Sequence, residues 1–267
     1  KLHLSNTFPT SSGSAAACNS THVFMFGGLV KNSLTSSVLI SSLSSLLPET
    51  STSILPVIAD SPTPRAFAGV LSVDAAVLVM YGGEQDRKGL HQLWQLDLTS
   101  QTWRMLGLTS SNSSFGPRLL SAMSLFKLQA SSSHAFIVHG GIKTSYEDGK
   151  TFMSGEGQEH QPTSDAMLFV ETSEQSYSVT RLRLDMTGRQ PAARCLHSML
   201  TGRFVSSSND LVLLGGVNRE GKAMADMWYI ESSEQRRFAK LVFVLDQLSP
   251  TTLLGAQTDL LMLINTC

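Results

Sequence analysis

Charge is scarce in this chain. Asp, Glu, Lys and Arg make up 15% of its 267 residues and nearly cancel, leaving a formal net charge of −1; about 25% is usual for soluble proteins. No dense basic stripe interleaved with aromatics appears, so the electrostatic attraction that dominates nucleic-acid binding has no source and no nucleic-acid partner is expected. Hydrophobic runs are short. None approaches the roughly 18–20 apolar residues that span a bilayer, and the N-terminus lacks a charged-then-apolar signal pattern, so no membrane span is expected. Three cysteines, Cys18, Cys195 and Cys267, are widely spaced and odd in number. That pattern argues against a disulfide framework or a zinc site and favours a reducing, cytoplasmic setting. Catalytic signatures are missing too: there is no Gly-x-Ser-x-Gly elbow, no His-Glu-x-x-His, no phosphate-binding glycine loop and no Asp-x-Asp calcium pattern. Nothing specifies a reaction, and the expectation is a protein that is not an enzyme and needs no metal or cofactor.

What the chain does have is glycine in pairs. Gly27-Gly28, Gly82-Gly83, Gly140-Gly141 and Gly215-Gly216 each close a short apolar run: His22 to Phe26, Ala76 to Tyr81, Ala135 to His139 and Leu211 to Leu214. Runs of this length, rich in β-branched, aromatic and aliphatic residues, read as buried strands. A double glycine at a strand end allows backbone conformations closed to other residues and lets neighbouring chain approach closely. The pairs recur after 55, 58 and 75 residues, a period that signals stacked or radially arranged supersecondary units.

Aligning on the glycines exposes the rest of the unit. Upstream of three pairs a proline and an arginine precede a small apolar segment, as in Pro64-Arg65, Pro117-Arg118 and Pro191-Ala-Ala-Arg194, the last followed by Cys195, Leu196, His197 and Ser198. Downstream, a loop leads to a third strand and a fourth joined by an Asp/Thr/Ser turn, as in the stretch holding Trp94, Asp97, Thr99 and Trp103. Met167 to Tyr177 and Met227 to Phe238 repeat that register, the last with its aromatic displaced by one. Each unit therefore has four strands.

These residues resemble the kelch repeat family over roughly Ser14 to Leu245. The resemblance implies an all-β fold, a β-propeller of four-stranded antiparallel blades, with the glycine pair ending the second strand of each blade. Residues 1–267 then form one propeller domain with blades at about 14–57, 64–106, 117–184 and 191–245 and a partial fifth at 252–264. Repeat one departs most, since its third strand around Leu39 has no aromatic partner. In the partial fifth, Asn265-Thr266 stands where glycines belong. Two closures follow: a fragment of a ring of about six blades, the favoured expectation, or a ring in which Lys1 to Leu4 joins the fifth blade.

One connection is out of proportion. From the second glycine to the centre of the third strand is 11 residues for Gly83 to Trp94 but 27 for Gly141 to Leu168. The excess falls within Ile142 to Ser164, rich in Glu, Gly, Lys and Gln, and reads as an extruded loop. Strand alternation puts it on the same face as Arg65, Arg118 and Arg194. Those arginines have two readings: pairing with backbone carbonyls or a neighbouring acid, or forming a partial rim of guanidinium groups that recognises carboxylates or phosphates on a partner segment. His197, His139 and His22 read as strand residues. With the kelch resemblance, the expected function is a protein-interaction scaffold or adaptor, or a subunit of a larger assembly. The expected partner is a protein, presenting an acidic segment or belonging to a multi-subunit complex, contacted by Arg65, Arg118, Arg194, Lys143, Tyr146, Glu147 and Asp148. The alternative is the propeller module of an enzyme whose active part lies elsewhere.

Overall fold

Apolar residues on both faces of short strands demand partners on both sides, and the chain meets that demand by packing four four-stranded units against one another. A computed structural model describes residues 11–43, 53–56, 61–86, 88–110, 116–126, 133–143, 162–182, 191–202, 210–232 and 238–243. These residues are all-β, with no helix among them. Unit I is built of Ala15–Cys18, His22–Phe26, Val38–Ser42 and Ser53–Ile54, and unit II of Ala66–Ser72, Val77–Gln85, Leu93–Asp97 and Thr102–Ser110. Unit III is built of Ala122–Leu125, Ala135–His139, Ala166–Ser173 and Ser176–Leu182, and unit IV of Ser198–Gly202, Asp210–Leu214, Met227–Ser232 and Phe238–Phe243. Within each unit the strands pair antiparallel in chain order. The partial fifth unit and Lys1 to Leu4 lie outside the described residues.

Strand alternation sends neighbouring side chains to opposite faces, and the packing follows it. In unit II, Leu78 and Met80 join Phe24, Phe26 and Val38 of unit I, with Phe26 edge-on to Trp103 at 5.5 Å. The intervening Val79 and Tyr81 join Phe136, Val138 and Phe169 of unit III. There the rings of Phe136 and Phe169 stack at 4.7 Å and Tyr81 meets Phe169 edge-on at 5.1 Å. The opposite face of unit III, with Ile137, Ala166 and Leu182, packs on Met199 and Leu211 of unit IV. Sheets buried on both faces leave little surface for charge, which accounts for the low charge content.

Units II and III are also hydrogen-bonded to each other. The last strand of unit II runs beyond its own sheet, and Gly107 to Ser110 pair in parallel with Ser176 to Val179. With Lys88–Gly89 the two units become one nine-stranded sheet. The Asp97 turn forms as its residues require: the Asp97 carboxylate accepts the Thr99 and Ser100 backbone N–H groups at 2.8 and 2.9 Å. Those bonds, Ser100 first, hold its pKa below the ordinary carboxylate value.

The ends of the long connection in unit III are more ordered than a loop reading predicts. Ile142–Lys143 forms a short strand paired with Arg118–Leu119. Pro162 bridges back to Ile142, and the Thr163 N–H donates to Gly141. The residues flanking 144–161 thus lie beside the Arg118–Leu119 strand.

Candidate functional site

The glycine pairs and the arginines belong to one device. All eight glycines have positive φ, from 59 to 102°. The first glycine of the first three pairs lies against the arginine backbone of the following unit: a Cβ on Gly27 would meet the Arg65 carbonyl oxygen at 2.4 Å, one on Gly82 that of Arg118 at 2.4 Å, and one on Gly140 that of Arg194 at 2.6 Å. Gly28 and Gly141 donate their N–H groups to Arg65 and Arg194 carbonyls at 2.8 and 2.9 Å. Glycine is required here for both its φ and its missing side chain.

The guanidinium groups do not form an exposed rim. Arg65, Arg118 and Arg194 are 0, 1 and 0% exposed. Arg65 donates from Nε to the Thr63 carbonyl at 3.0 Å, from Nη1 to the Gly82 carbonyl at 3.1 Å, and from Nη2 to Thr63 Oγ1 and Gln92 Oε1 at 3.1 and 2.9 Å. Burial lowers its pKa to about 10. Arg194 repeats the pattern with a carboxylate in place of the amide. Nε donates to Ala192, Nη1 to Gly215, and Nη1 and Nη2 together grip Asp226 at 2.6 and 2.7 Å. Trp228 Nε1 donates to the same carboxylate at 2.5 Å. Burial alone raises a carboxyl pKa, but at Asp226 the Arg194 and Trp228 hydrogen bonds and the Arg194 charge outweigh it and the net shift is downward. An arginine whose three nitrogens are all engaged inside the fold ties the opening segment of its own unit to that unit's glycine pair and third strand; it offers no donor to a partner's surface. The pairing alternative among the two sequence readings therefore describes Arg65 and Arg194.

Arg118 differs from both. Among the described residues its one hydrogen bond runs from Nη2 to Asp165 at 3.2 Å, and its Nε and Nη1, both buried, have no partner there. Asp165 is shared with the half-exposed Arg181. Burial lowers the Arg118 pKa, opposed by Asp165.

Of the remaining residues predicted for a partner, Lys143 is exposed on the short strand opposite Arg118, so the structure brings those two together. Tyr146, Glu147 and Asp148 lie outside the described residues.

Two features escape a reading of the sequence. The first is a pair of imidazoles. His139, ending the second strand of unit III, and His197, opening unit IV, are both buried, with His139 Nδ1 3.0 Å from His197 Nε2. Burial, the largest cause, pushes both pKa values below the ordinary 6.5; His197 and then the Arg194 charge add to the effect on His139, and the Arg194 charge adds to that on His197. The second is a backbone ladder. Leu196 donates its N–H to Leu120 O at 3.2 Å, Leu120 to Phe67 O at 3.0 Å, and Phe67 to Gly13 O at 2.7 Å. All four have positive φ: 68° for Gly13, 61° for Phe67, 54° for Leu120 and 55° for Leu196. Large apolar residues rarely adopt this conformation. The signal is present in the sequence: each of the three follows its unit's arginine by two positions.

Among the described residues no group of three or more His, Cys, Asp or Glu is arranged to hold a metal ion, and no helix is long and apolar enough to cross a membrane. Set against known proteins, the chain matches no family model and no curated protein.

Proposed function

We propose that this chain is a kelch-type β-propeller serving as a protein-interaction scaffold, with its partner surface on the face where the long connection of unit III emerges. The fold part of the reading is supported by four four-stranded antiparallel units, packed face to face, each with a glycine pair closing its second strand. The observation that carries the functional part is where the flanks of 144–161 lie: Lys143 and Pro162 sit next to the Arg118–Leu119 strand, while units II and III are consumed on both faces by packing against their neighbours. A stack with both sheet faces buried has its strand-connecting loops left for recognition, and rigid scaffolds concentrate binding residues there.

Lys143 and the adjoining Tyr146, Glu147 and Asp148 are the partner-contacting set in this reading. Replacing 144–161 with the short connection 84–90 of unit II tests it. Capture of the partner recovered by the intact chain is expected to be lost, with the thermal midpoint nearly unchanged because the flanking pairs stay in place. Retained capture would remove the insertion from the interface, and a large fall in the midpoint would make it a packed structural element instead.

A further inference from the structure

The little charge this chain carries is sorted by side. Every glycine pair adjoins an arginine segment: Gly27, Gly82 and Gly140 touch that of the next unit, and Gly216 touches Cys195 of its own. The connections that follow the four pairs therefore begin on one side of the molecule. Each brings an exposed cation: Lys31 in unit I, Lys88 in unit II, Lys143 in unit III, and Arg219 and Lys222 in unit IV. None of these five is ion-paired among the described residues. Acids on this side are fewer. Asp86 and Glu220 are exposed and Glu84 is half-buried, while Asp165 and Asp226 are taken up by Arg118, Arg181 and Arg194. The turns at the other strand ends have the reverse sense: the described ones, at 19–21, 73–76, 98–101 and 172–175, hold Asp74 and Glu174 and no lysine or arginine, with Asp97 adjoining. A surface polarised in this way attracts one sign of partner and repels the other.

Apolar surface lies on the same cationic side. The backbone ladder from Leu196 through Leu120 to Phe67 sets three large apolar residues in a row, each two positions after its unit's arginine. Leu196 is exposed, and Phe67 and Leu120 are half-buried. All three are held at positive φ, a strained conformation for such residues and one that concentrates at sites of recognition. Exposed apolar surface rimmed by polar residues marks an interaction site. The rim here is cationic, so its complement is an acidic chain that also offers an apolar side chain.

We propose that this face recognises an extended acidic segment of a partner protein, its carboxylates on the cations of the four connections and an apolar side chain on the row of Phe67, Leu120 and Leu196. The buried arginines cannot serve as such a rim, and the exposed lysines of the connections supply the charge instead. The proposal rests on the scaffold reading and adds the chemistry of the partner.

The test is fluorescence anisotropy of labelled peptides titrated with the full chain. Glu-Glu-Leu-Leu-Glu-Glu is expected to bind saturably, about tenfold more tightly than Glu-Glu-Ser-Ser-Glu-Glu, and more weakly as sodium chloride rises from about 50 to about 200 mM. Lys-Lys-Leu-Leu-Lys-Lys should not bind. Lys88→Glu with Lys222→Glu changes only exposed side chains and should weaken binding about tenfold. Leu196→Asn tolerates the left-handed backbone and should reduce the preference for the leucine peptide over the serine peptide. Glu174→Lys, on the opposite side, should leave the affinity within about twofold. Replacing 144–161 separates this proposal from the insertion's role in the scaffold reading. Peptide binding should survive or tighten, since that segment has Glu147, Asp148, Glu156 and Glu159 against Lys150, whereas the scaffold reading expects partner capture to be lost. Retained capture would remove the insertion from the interface and leave the peptide result standing. The proposal is overturned by absence of saturable binding, by equal affinity for the leucine and serine peptides, by equal affinity for an oligothymidylate, by unchanged affinity in Lys88→Glu/Lys222→Glu, or by loss of peptide binding when 144–161 is replaced.

Discussion

The two buried imidazoles tie the acid limb of stability to one contact. A histidine whose folded pKa lies below its unfolded value of about 6.5 stays neutral in the fold while the unfolded chain takes up a proton. Stability is therefore complete above about pH 6.5 and falls as pH drops below it, by up to about 1.4 kcal/mol per pH unit for each histidine. Urea midpoints at pH 7.5, 6.0 and 5.0 measure this. The double change His139→Phe with His197→Ala copies the Phe26 and Ala68 pair of the first junction and should flatten the limb between pH 6.5 and 5; a limb of unchanged slope would place its origin elsewhere. Arg194 allows a second measurement at this scale. Arg194→Met leaves the Asp226 carboxylate without its bidentate partner and is expected to cost about 3–5 kcal/mol in urea unfolding. A loss below about 1 kcal/mol would mean that Asp226 finds water as readily as it finds arginine. The sequence marks Arg194 and both histidines as members of a repeat. Burial and partner decide their roles: the histidines meet where unit III packs on unit IV, whereas the Arg194 side chain is bonded within unit IV.

At the scale of elements, the glycine pairs and the left-handed ladder make opposite predictions. Gly82→Ala combines a φ of 75° with a Cβ placed 2.4 Å from the Arg118 carbonyl oxygen, a backbone atom that cannot swing aside. It should destabilise by about 2–4 kcal/mol, joining the left-handed penalty to overpacking. Gly221→Ala, with φ of 73° but open space around it, should cost only about 1 kcal/mol. Equal losses in denaturant would show that conformation alone, and not the close approach, selects glycine. Leu196 is the reverse case, a large residue 57% exposed at a φ of 55°. Leu196→Gly relieves about 1–2 kcal/mol of strain against roughly 0.5–1 of added chain entropy, so the midpoint should hold or rise. A fall of several degrees would assign the Leu196 side chain a packing role. The strands and the glycine pairs are legible in the sequence because period-two apolar runs and Gly-Gly are local signals. The short Ile142–Lys143 strand is not, because its partner, Arg118–Leu119, lies in the segment that opens the same unit.

For the molecule as a whole, stacking sets an order of stability. Units II and III share a core of fully buried Val79, Leu93, Phe136, Val138 and Phe169 and are joined by the parallel pairing of Gly107 to Ser110 with Ser176 to Val179. Unit I gives only one face to a neighbour among the described residues; Met25, Leu39 and Ile54 line a shallow pocket of about 200 Å³ on the other. Hydrogen exchange should therefore protect the central strands of units II and III most, with His22–Phe26 and Val38–Ser42 opening at lower free energy, as expected when each unit is stabilised by its neighbours. Uniform protection across units I to III would mean that the stack opens as one. The sequence by itself determined that the chain is a repeat of four-stranded units, where each glycine pair falls, and which connection is enlarged. Those properties follow from local backbone preferences and period-two burial, which one strand expresses alone. Only the tertiary structure decided that the arginines are internal ties, that His139 meets His197, and that Arg118 keeps two nitrogens without a partner among the described residues. The reason is physical: a hydrogen bond between units depends on the distance across a junction of two packed sheets, and residues 58 apart carry no record of that distance in their order along the chain.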